Sequence, residues 1–233
     1  MWSLSAAETA ALLLSLKVAF WSVAASLPFA VALAWLLSRR SFAGKALLDA
    51  VVHLPLVLPP VVVGYFLLVL FGRRAPIGAF LYEVLGISFA FRWTGAALAC
   101  AVMGFPLMVR AVRQSLDAVD RRLEAAAATL GARPAWVFAS VTLPLILPGV
   151  VTGVLLSFAR SLGEFGATIT FVSNIPGETQ TLPLAIYTFT QVPGGDAQAL
   201  RLCVLSILLS LAALMASELL LRRATARAAG RDA

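Results

Sequence analysis

Asp120-Arg121-Arg122-Leu123-Glu124-Ala125-Ala126-Ala127-Ala128-Thr129-Leu130-Gly131, then Pro134-Ala135-Trp136-Val137-Phe138 and Val141-Thr142-Leu143-Pro144, lie in a sizeable connection, roughly 113 to 143, between two long apolar runs. Its punctuation is that of helices. Asp120 is a good N-cap, Arg121 to Leu130 is rich in helix formers, and Gly131 fits the C′ position. Pro134 favours the first turn of a second helix, expected to run until Pro144. The alanines at 125 to 128 make a smooth strip that another surface could approach closely, with Leu123 and Leu130 as apolar anchors. Periodicity alone equally describes a helical hairpin lying on a membrane.

Outward from this connection, apolar windows bounded by charge fall at about 12 to 37, 48 to 71, 94 to 112, 145 to 163 and 200 to 221. Each is long enough to cross a bilayer, which takes roughly 20 helical residues. The chain has 233 residues, 61% hydrophobic and 12% charged, and a mean hydropathy of +0.95. Such a composition excludes an ordinary water-soluble fold. It leaves room for five or six crossings and for no globular domain, so residues 1–233 read as one transmembrane domain. The first span is expected to tilt, or to kink at Pro28. The second carries Pro55, Pro59 and Pro60. Prolines at membrane depth free carbonyls that only protein or a watery cavity can satisfy, so this region should face inward. Residues 164 to 199 hold two moderately apolar pieces, Phe165 to Val172 and Leu182 to Phe189, and read as an outer re-entrant or surface segment, with a sixth crossing left open.

The formal net charge is +7. In a soluble protein that would raise nucleic acid as a partner, but here the basic residues have addresses. Arg39, Arg40 and Lys45 follow span one; Arg110, Arg113, Arg121, Arg122 and Arg133 follow span three; Arg222, Arg223, Arg227 and Arg231 follow span five. The positive-inside rule then sets the N-terminus outside and the C-terminus in the cytoplasm, with five crossings and the 113–143 loop inside. The positive charge reports topology and contact with lipid, not nucleic acid. Cys100 and Cys203, both in apolar stretches, give no disulfide scaffold and no zinc set. No Lys or Arg precedes the first apolar run, which exceeds a signal-peptide core in length, so it is expected to stay as an anchor.

Ala125-Ala126-Ala127, three residues, Gly131, nine residues, then Val141-Thr142-Leu143-Pro144 resembles the EAA loop of ABC importer permeases, whose pattern is Glu-Ala-Ala, three residues, Gly, nine residues, Ile, any residue, Leu-Pro. Ala125 stands at the Glu position with Glu124 one residue earlier, and Val141 stands for Ile. The segments His53 to Tyr65, Phe105 to Arg110, Phe158 to Thr168 and Val172 to Thr179 are similar to those of molybdate ABC transporter permeases, from Leu14 to about Arg222. The Gly163-Glu164-Phe165-Gly166 stretch is shared in looser form with sulfate permeases.

The resemblance implies a type I ABC importer permease, an all-α membrane protein that moves molybdate by alternating access. It implies a second copy of the chain, two ABC ATPase subunits that use ATP and Mg, and a periplasmic or extracellular molybdate-binding protein. The loop residues Glu124, Ala125, Ala126, Ala127, Leu130, Gly131, Val141, Leu143 and Pro144 would engage the ATPase. Tungstate and sulfate or thiosulfate are the alternative cargoes.

Ionisable groups inside spans are functional candidates by default. Arg160 and Glu164 are four apart near the end of span four and can pair on one helix face, as part of an outer gate or as a structural ion pair. Ser161, Thr168, Thr170, Ser173 and Asn174 offer uncharged donors along which a tetrahedral oxyanion could pass without being trapped. With Pro55, Pro59 and Pro60 they make up the candidate translocation path. Gly149 and Gly153 form a small-residue step that permits close helix packing. His53, the sole histidine, reads as a hydrogen-bonded core residue. Trp2, Trp21, Trp35 and Trp93 read as interfacial anchors.

No catalytic set is visible and no metal site is expected. Gly44-Lys45-Ala46 lacks the first glycine and the Ser or Thr of a phosphate loop, so the chain should not hydrolyse ATP itself or hold a cofactor. A self-sufficient channel or secondary transporter is the contrasting reading. It would not need a capped, alanine-rich basic loop, and proton-coupled carriers place acids at mid-span where this chain has almost none.

Overall fold

A computed structural model describes residues 4–229. Among these, α-helices account for nearly all the regular structure: α1 Ala6–Arg39, α2 Lys45–Val57, α3 Pro60–Phe71, α4 Pro76–Leu85, α5 Trp93–Ala118, α6 Arg121–Thr129, α7 Pro134–Val137, α8 Leu143–Leu162, α9 Gly166–Val172, α10 Leu182–Thr190 and α11 Asp196–Ala229. Four helical stretches are long and apolar enough to cross a membrane, and a fifth is added if the bent pair α2 and α3 counts as one span. The chain is therefore an all-α integral membrane protein.

Close approach of small side chains holds the central helices together. On α1, Ala11, Ser15, Ala19, Ser22, Ser26, Ala30 and Ala34 recur every three or four residues and are all buried, a stripe that lets neighbouring backbones come near. The glycines of α8 do the same against α5. A Cβ on Gly153 would lie 3.2 Å from the Met108 Cα, and one on Gly149 would lie 2.9 Å from the Ala111 carbonyl oxygen. The Gly149–Gly153 step is thus spent on packing inside the chain. Around these contacts Leu37, Met108, Val109, Val112, Leu116 and Ile146 form one apolar cluster, and Cys100, Met103, Ala167, Phe171 and Val172 another.

The ends of α1 are fixed by polar contacts. Ser5 and Glu8 form a reciprocal capping box, and the buried Glu8 carboxylate accepts from Arg201 of α11 at 2.9 Å. The Ser15 hydroxyl accepts the Leu182 N–H at 2.6 Å, which seats α10 on α1. Pro28 lies within α1 without ending it.

Span two breaks at its prolines as the sequence led one to expect, and two other features differ from the sequence expectations. Span two is two helices bent by 115°, because Pro59 and Pro60 have no N–H to continue the ladder past Leu58. The expected helix ending at Pro144 instead continues: a π turn at Phe138–Thr142 joins α7 to α8. There the Leu143 N–H reaches back five residues to the Phe138 carbonyl, a shifted register that absorbs the donor missing from Pro144. Finally, α5 runs on to Ala118, so residues 113–118 extend a membrane helix and the true connection is shorter. In the 164–199 segment, α9 and α10 have 7 and 9 residues. At about 1.5 Å per residue neither reaches across a bilayer. Arg231 and Trp2 lie outside the described residues.

Candidate functional site

The 119–143 connection is built as its residues require. The Asp120 carboxylate accepts the Arg122 N–H at 2.9 Å and starts α6. Gly131, at φ +83°, ends it, with its N–H on the Ala128 carbonyl and the Ala132 N–H on that of Ala127. The left-handed conformation costs a residue bearing a Cβ roughly 1 kcal/mol or more, which is why glycine stands there.

Helix α6 buries no residue in this chain, so packing does not hold it. Polar clamps do. Glu124 accepts from Arg39 of α1 at 3.0 Å and from the Thr142 hydroxyl at 2.7 Å. Arg121 donates to the Ser38 carbonyl at 3.3 Å, and the Ser38 hydroxyl donates to Asp117 at the end of α5. The displaced acid of the loop is therefore engaged inside the chain, tying α6 to α1 and to the foot of α8. The clamps leave an outward face of Ala125, Ala126 and Ala128, flanked by Leu123, Leu130 and Trp136, with Leu130 89% and Trp136 67% exposed. Ala127 and Val141 are half-buried, and Leu143 and Pro144 are exposed.

Among the path candidates, Arg160 and Glu164 do pair, at 2.7 Å. Glu164 lies just beyond α8, fully buried, and its second oxygen accepts the Ala167 N–H at 2.7 Å, so one carboxylate joins the end of α8 to the start of α9. The Ser161 hydroxyl donates to the Ser157 carbonyl and lies 3.1 Å from the Ser22 hydroxyl. Thr168 is fully buried and donates to the Phe165 carbonyl at 2.9 Å. Asn174 donates to Thr188 at 2.7 Å and accepts from Gln180 at 3.0 Å. Ser173, half-buried between them, adopts φ +64° and ψ −161°, a region ordinarily restricted to glycine. Pro55 and Pro60 are half-buried and Pro59 is exposed. Residues 160 to 168 thus gather at the α8–α9 corner, whereas Ser173 and Asn174 lie past the far end of α9, where Asn174 bonds to α10, and α9 packs against α3. Pro55 stands apart, on α2.

At the α6 end an open depression of about 320 Å³ lies between α2 and α5, lined by Asp49, His53, Arg110, Arg113, Gln114 and Asp117. Arg113 bonds Asp49 at 3.0 Å, and the His53 ring contacts the Asp49 carbonyl at 2.8 Å. The Arg113–Asp49 pair joins α2 to α5 and was not legible in the sequence, where Arg113 reads only as a topology marker; the His53 contact lies within α2. The roles of Arg39 and Thr142 in holding Glu124 were equally hidden, since neither lies within the loop helix.

The model of the family described as binding-protein-dependent transport system inner membrane component matches residues 26–226. The chain is 62% identical over 221 residues, 95% of its own length and 96% of the relative's, to the molybdenum transport system permease protein ModB of Escherichia coli (strain K12). It is 39% identical over 184 residues, 78% of its length and 66% of the relative's, to the sulfate transport system permease protein CysT of Salmonella typhimurium (strain LT2). Its fold is similar to a chain in the crystal structure of a bacterial alginate ABC transporter in complex with alginate pentasaccharide-bound periplasmic protein, at TM-score 0.73 and 14% identity, covering 94% of this chain and 80% of that one. The chain belongs to the binding-protein-dependent transport system inner membrane component family, the membrane-spanning permeases of ABC importers.

Proposed function

We propose that this chain is the permease through which an ATP-driven importer moves molybdate across the cytoplasmic membrane. The observation that carries the reading is the pairing of near-full-length 62% identity to a molybdenum permease with a helix, α6, clamped from inside the chain and bare on its outward face. A helix that buries nothing of its own chain yet is fixed by Glu124 and Arg121 is shaped to be gripped by another protein. That protein is an ABC ATPase, one for each of two permease copies. A binding protein outside the membrane delivers the oxyanion. The α6 end then faces the cytoplasm and the α8–α9 corner faces outward, with the N-terminus outside and the C-terminus inside.

In this reading Glu124, Ala125, Ala126, Ala127, Leu130, Gly131, Val141, Leu143 and Pro144 form the contact with the ATPase and transmit its closure. Pro55, Pro59, Pro60, Arg160, Ser161, Glu164, Thr168, Ser173 and Asn174 belong to the path and its outer gate. The chain itself contributes no ATPase chemistry; ATP and Mg act in the partner subunits. Molybdate is favoured over sulfate by the difference between 62% and 39% identity. Uptake of labelled molybdate by cells with and without the chain, challenged with excess sulfate or tungstate, tests the cargo. Loss of uptake without the chain, with little competition by sulfate, is the expected result. Uptake by the purified chain in liposomes without any ATPase would overturn the importer reading.

A further inference from the structure

Toward the α6 end, helix α5 has neighbours on three sides and an open fourth. Val109, Val112 and Leu116 are buried in the apolar cluster that also holds Ala30, Ala34 and Leu37 of α1. Gly149 and Gly153 of α8 approach Ala111 and Met108 on a second side. Leu48 and Val52 of α2 pack against the same cluster from the third. Arg110, Gln114 and Asp117 follow one another at four and three residues, so they share one face of α5, and all three are exposed. With about 3.6 residues per turn, that face opens between α2 and α8, on the side away from α1. The path residues proposed above stand on the same two flanks: Pro55 on α2 with Pro59 and Pro60 just after it, and Arg160 and Ser161 at the end of α8. The open face of α5 therefore prolongs that path toward α6.

The depression of about 320 Å³ lies on this face, and its polar groups are unevenly committed. Arg113 is taken by Asp49 at 3.0 Å and by Asp117 at 3.8 Å, and so braces α2 against α5. Arg110 and Gln114, one turn apart, make no ion pair or hydrogen bond among the described residues. An unpaired guanidinium beside an unpaired amide offers a planar fork and further N–H donors, the groups that bind the oxygens of a tetrahedral oxyanion. Arg110 and Arg113 are balanced in sign by Asp49 and Asp117, so the depression carries no net charge from these four. The nearby carboxylates keep an anion from being held tightly. A conducting site must release its ion as readily as it takes it, and this balance supplies that property.

We infer that Arg110 and Gln114 form a low-affinity site for the tetrahedral oxyanion cargo at the inner mouth of the path, where it rests before release to the cytoplasm. This rests on the importer reading above and names the residues of its exit. Arg113 is a positioning residue, holding α2 at the edge of the site through Asp49.

The test uses the full importer in phosphatidylcholine nanodiscs without its binding protein, with Cys100 and Cys203 replaced by Ala and His53→Cys as a reporter inside the depression. Modification of the introduced thiol by a neutral methanethiosulfonate is timed by mass spectrometry of this chain. Millimolar molybdate is expected to slow it relative to chloride at equal ionic strength, which holds screening constant. Arg110→Gln should weaken that protection about tenfold, the loss of one charged hydrogen-bonding partner, and Arg110→Lys should keep part of it. In the chain with its native His53, Arg110→Gln should lower the maximal ATP-driven uptake rate severalfold. The apparent KM for the loaded binding protein should stay unchanged, because the residue acts after delivery. Equal protection with and without the Arg110 guanidinium, or a thiol that no nucleotide state exposes in complexes that import, would overturn the inference. So would Arg110-dependent protection supplied by phosphatidylglycerol in the nanodisc without molybdate, which would give the site to a lipid phosphate. Uptake by the unsubstituted complex is scored separately, and its absence would instead overturn the importer reading on which the site rests.

Discussion

Glu124 and Arg39 stand 3.0 Å apart, joining a helix that has no buried residue to the end of α1 with its buried stripe of small residues. The Thr142 hydroxyl completes the carboxylate's contacts at 2.7 Å, so one side chain fixes α6 to two membrane helices. Replacing Glu124 by Ala leaves the Arg39 guanidinium, only 9% exposed, without its carboxylate. A buried donor that loses an ionic partner costs about 2 kcal/mol. The expected outcome is a chain that inserts and assembles but shows ATP-driven uptake reduced at least severalfold, measured in proteoliposomes. Glu124→Gln, which keeps a hydrogen-bond acceptor, should fall between wild type and Ala. Combining Glu124→Gln with Arg39→Gln should cost less than the sum of the two single changes, because the pair interacts directly.

Gly131→Ala separates backbone strain from crowding. A Cβ there would meet nothing within 4 Å, so the only penalty is the φ of +83°, about 1 kcal/mol or more. The strain falls on the turn that sets the direction of the chain leaving α6. Uptake is expected to drop while the level of inserted protein, read by membrane immunoblot, stays unchanged. Gly131→Asn should recover part of the loss, since asparagine tolerates the left-handed region. Equal loss in both variants would place the cause elsewhere.

How far the sequence could be read follows from the range of the forces involved. The capping of α6 by Asp120 and Gly131 is local, and it stands where the residue types put it. The Arg160–Glu164 pair is likewise local, four residues apart on one helical path. What the sequence did not disclose are long-range contacts: Arg39 on Glu124, 85 residues away, the Arg113–Asp49 link, and the Gly64–Ala167 approach. The proline run told that span two must break, but not that the two helices meet at 115°. Pro144 misled in the opposite direction, because a π turn can carry a helix past a missing donor when the flanking helix is already packed on α5.

Glu164 distinguishes a structural bracket from a working gate. Its side chain is 1% exposed and bonds Arg160 at 2.7 Å, so Glu164→Gln removes a buried charge from its partner while leaving an acceptor for the Ala167 N–H. Breaking a buried pair costs about 3 kcal/mol, and a lower melting temperature of the detergent-solubilised complex is expected. If the pair only braces the corner, Arg160→Gln with Glu164→Gln should restore both melting temperature and uptake toward wild type. If the charges also serve the gate, the double variant should regain stability but not transport.

Ser173 is the last local conflict, a residue with a Cβ at φ +64° and ψ −161°, next to the Asn174–Thr188–Gln180 network that fixes the start of α10. Strain of this kind costs about 1–3 kcal/mol and persists where the surroundings hold it in place. Glycine would adopt the same backbone freely. Ser173→Gly is therefore expected to raise the melting temperature, by a few degrees for a gain of about 1 kcal/mol in a chain of this size. Because the hydroxyl of Ser173 is proposed to face the oxyanion path, the same variant should import molybdate more slowly despite its greater stability. A rise in stability with unchanged uptake would remove the side chain from the path and leave the strain as a purely architectural cost of ending α9 at this corner.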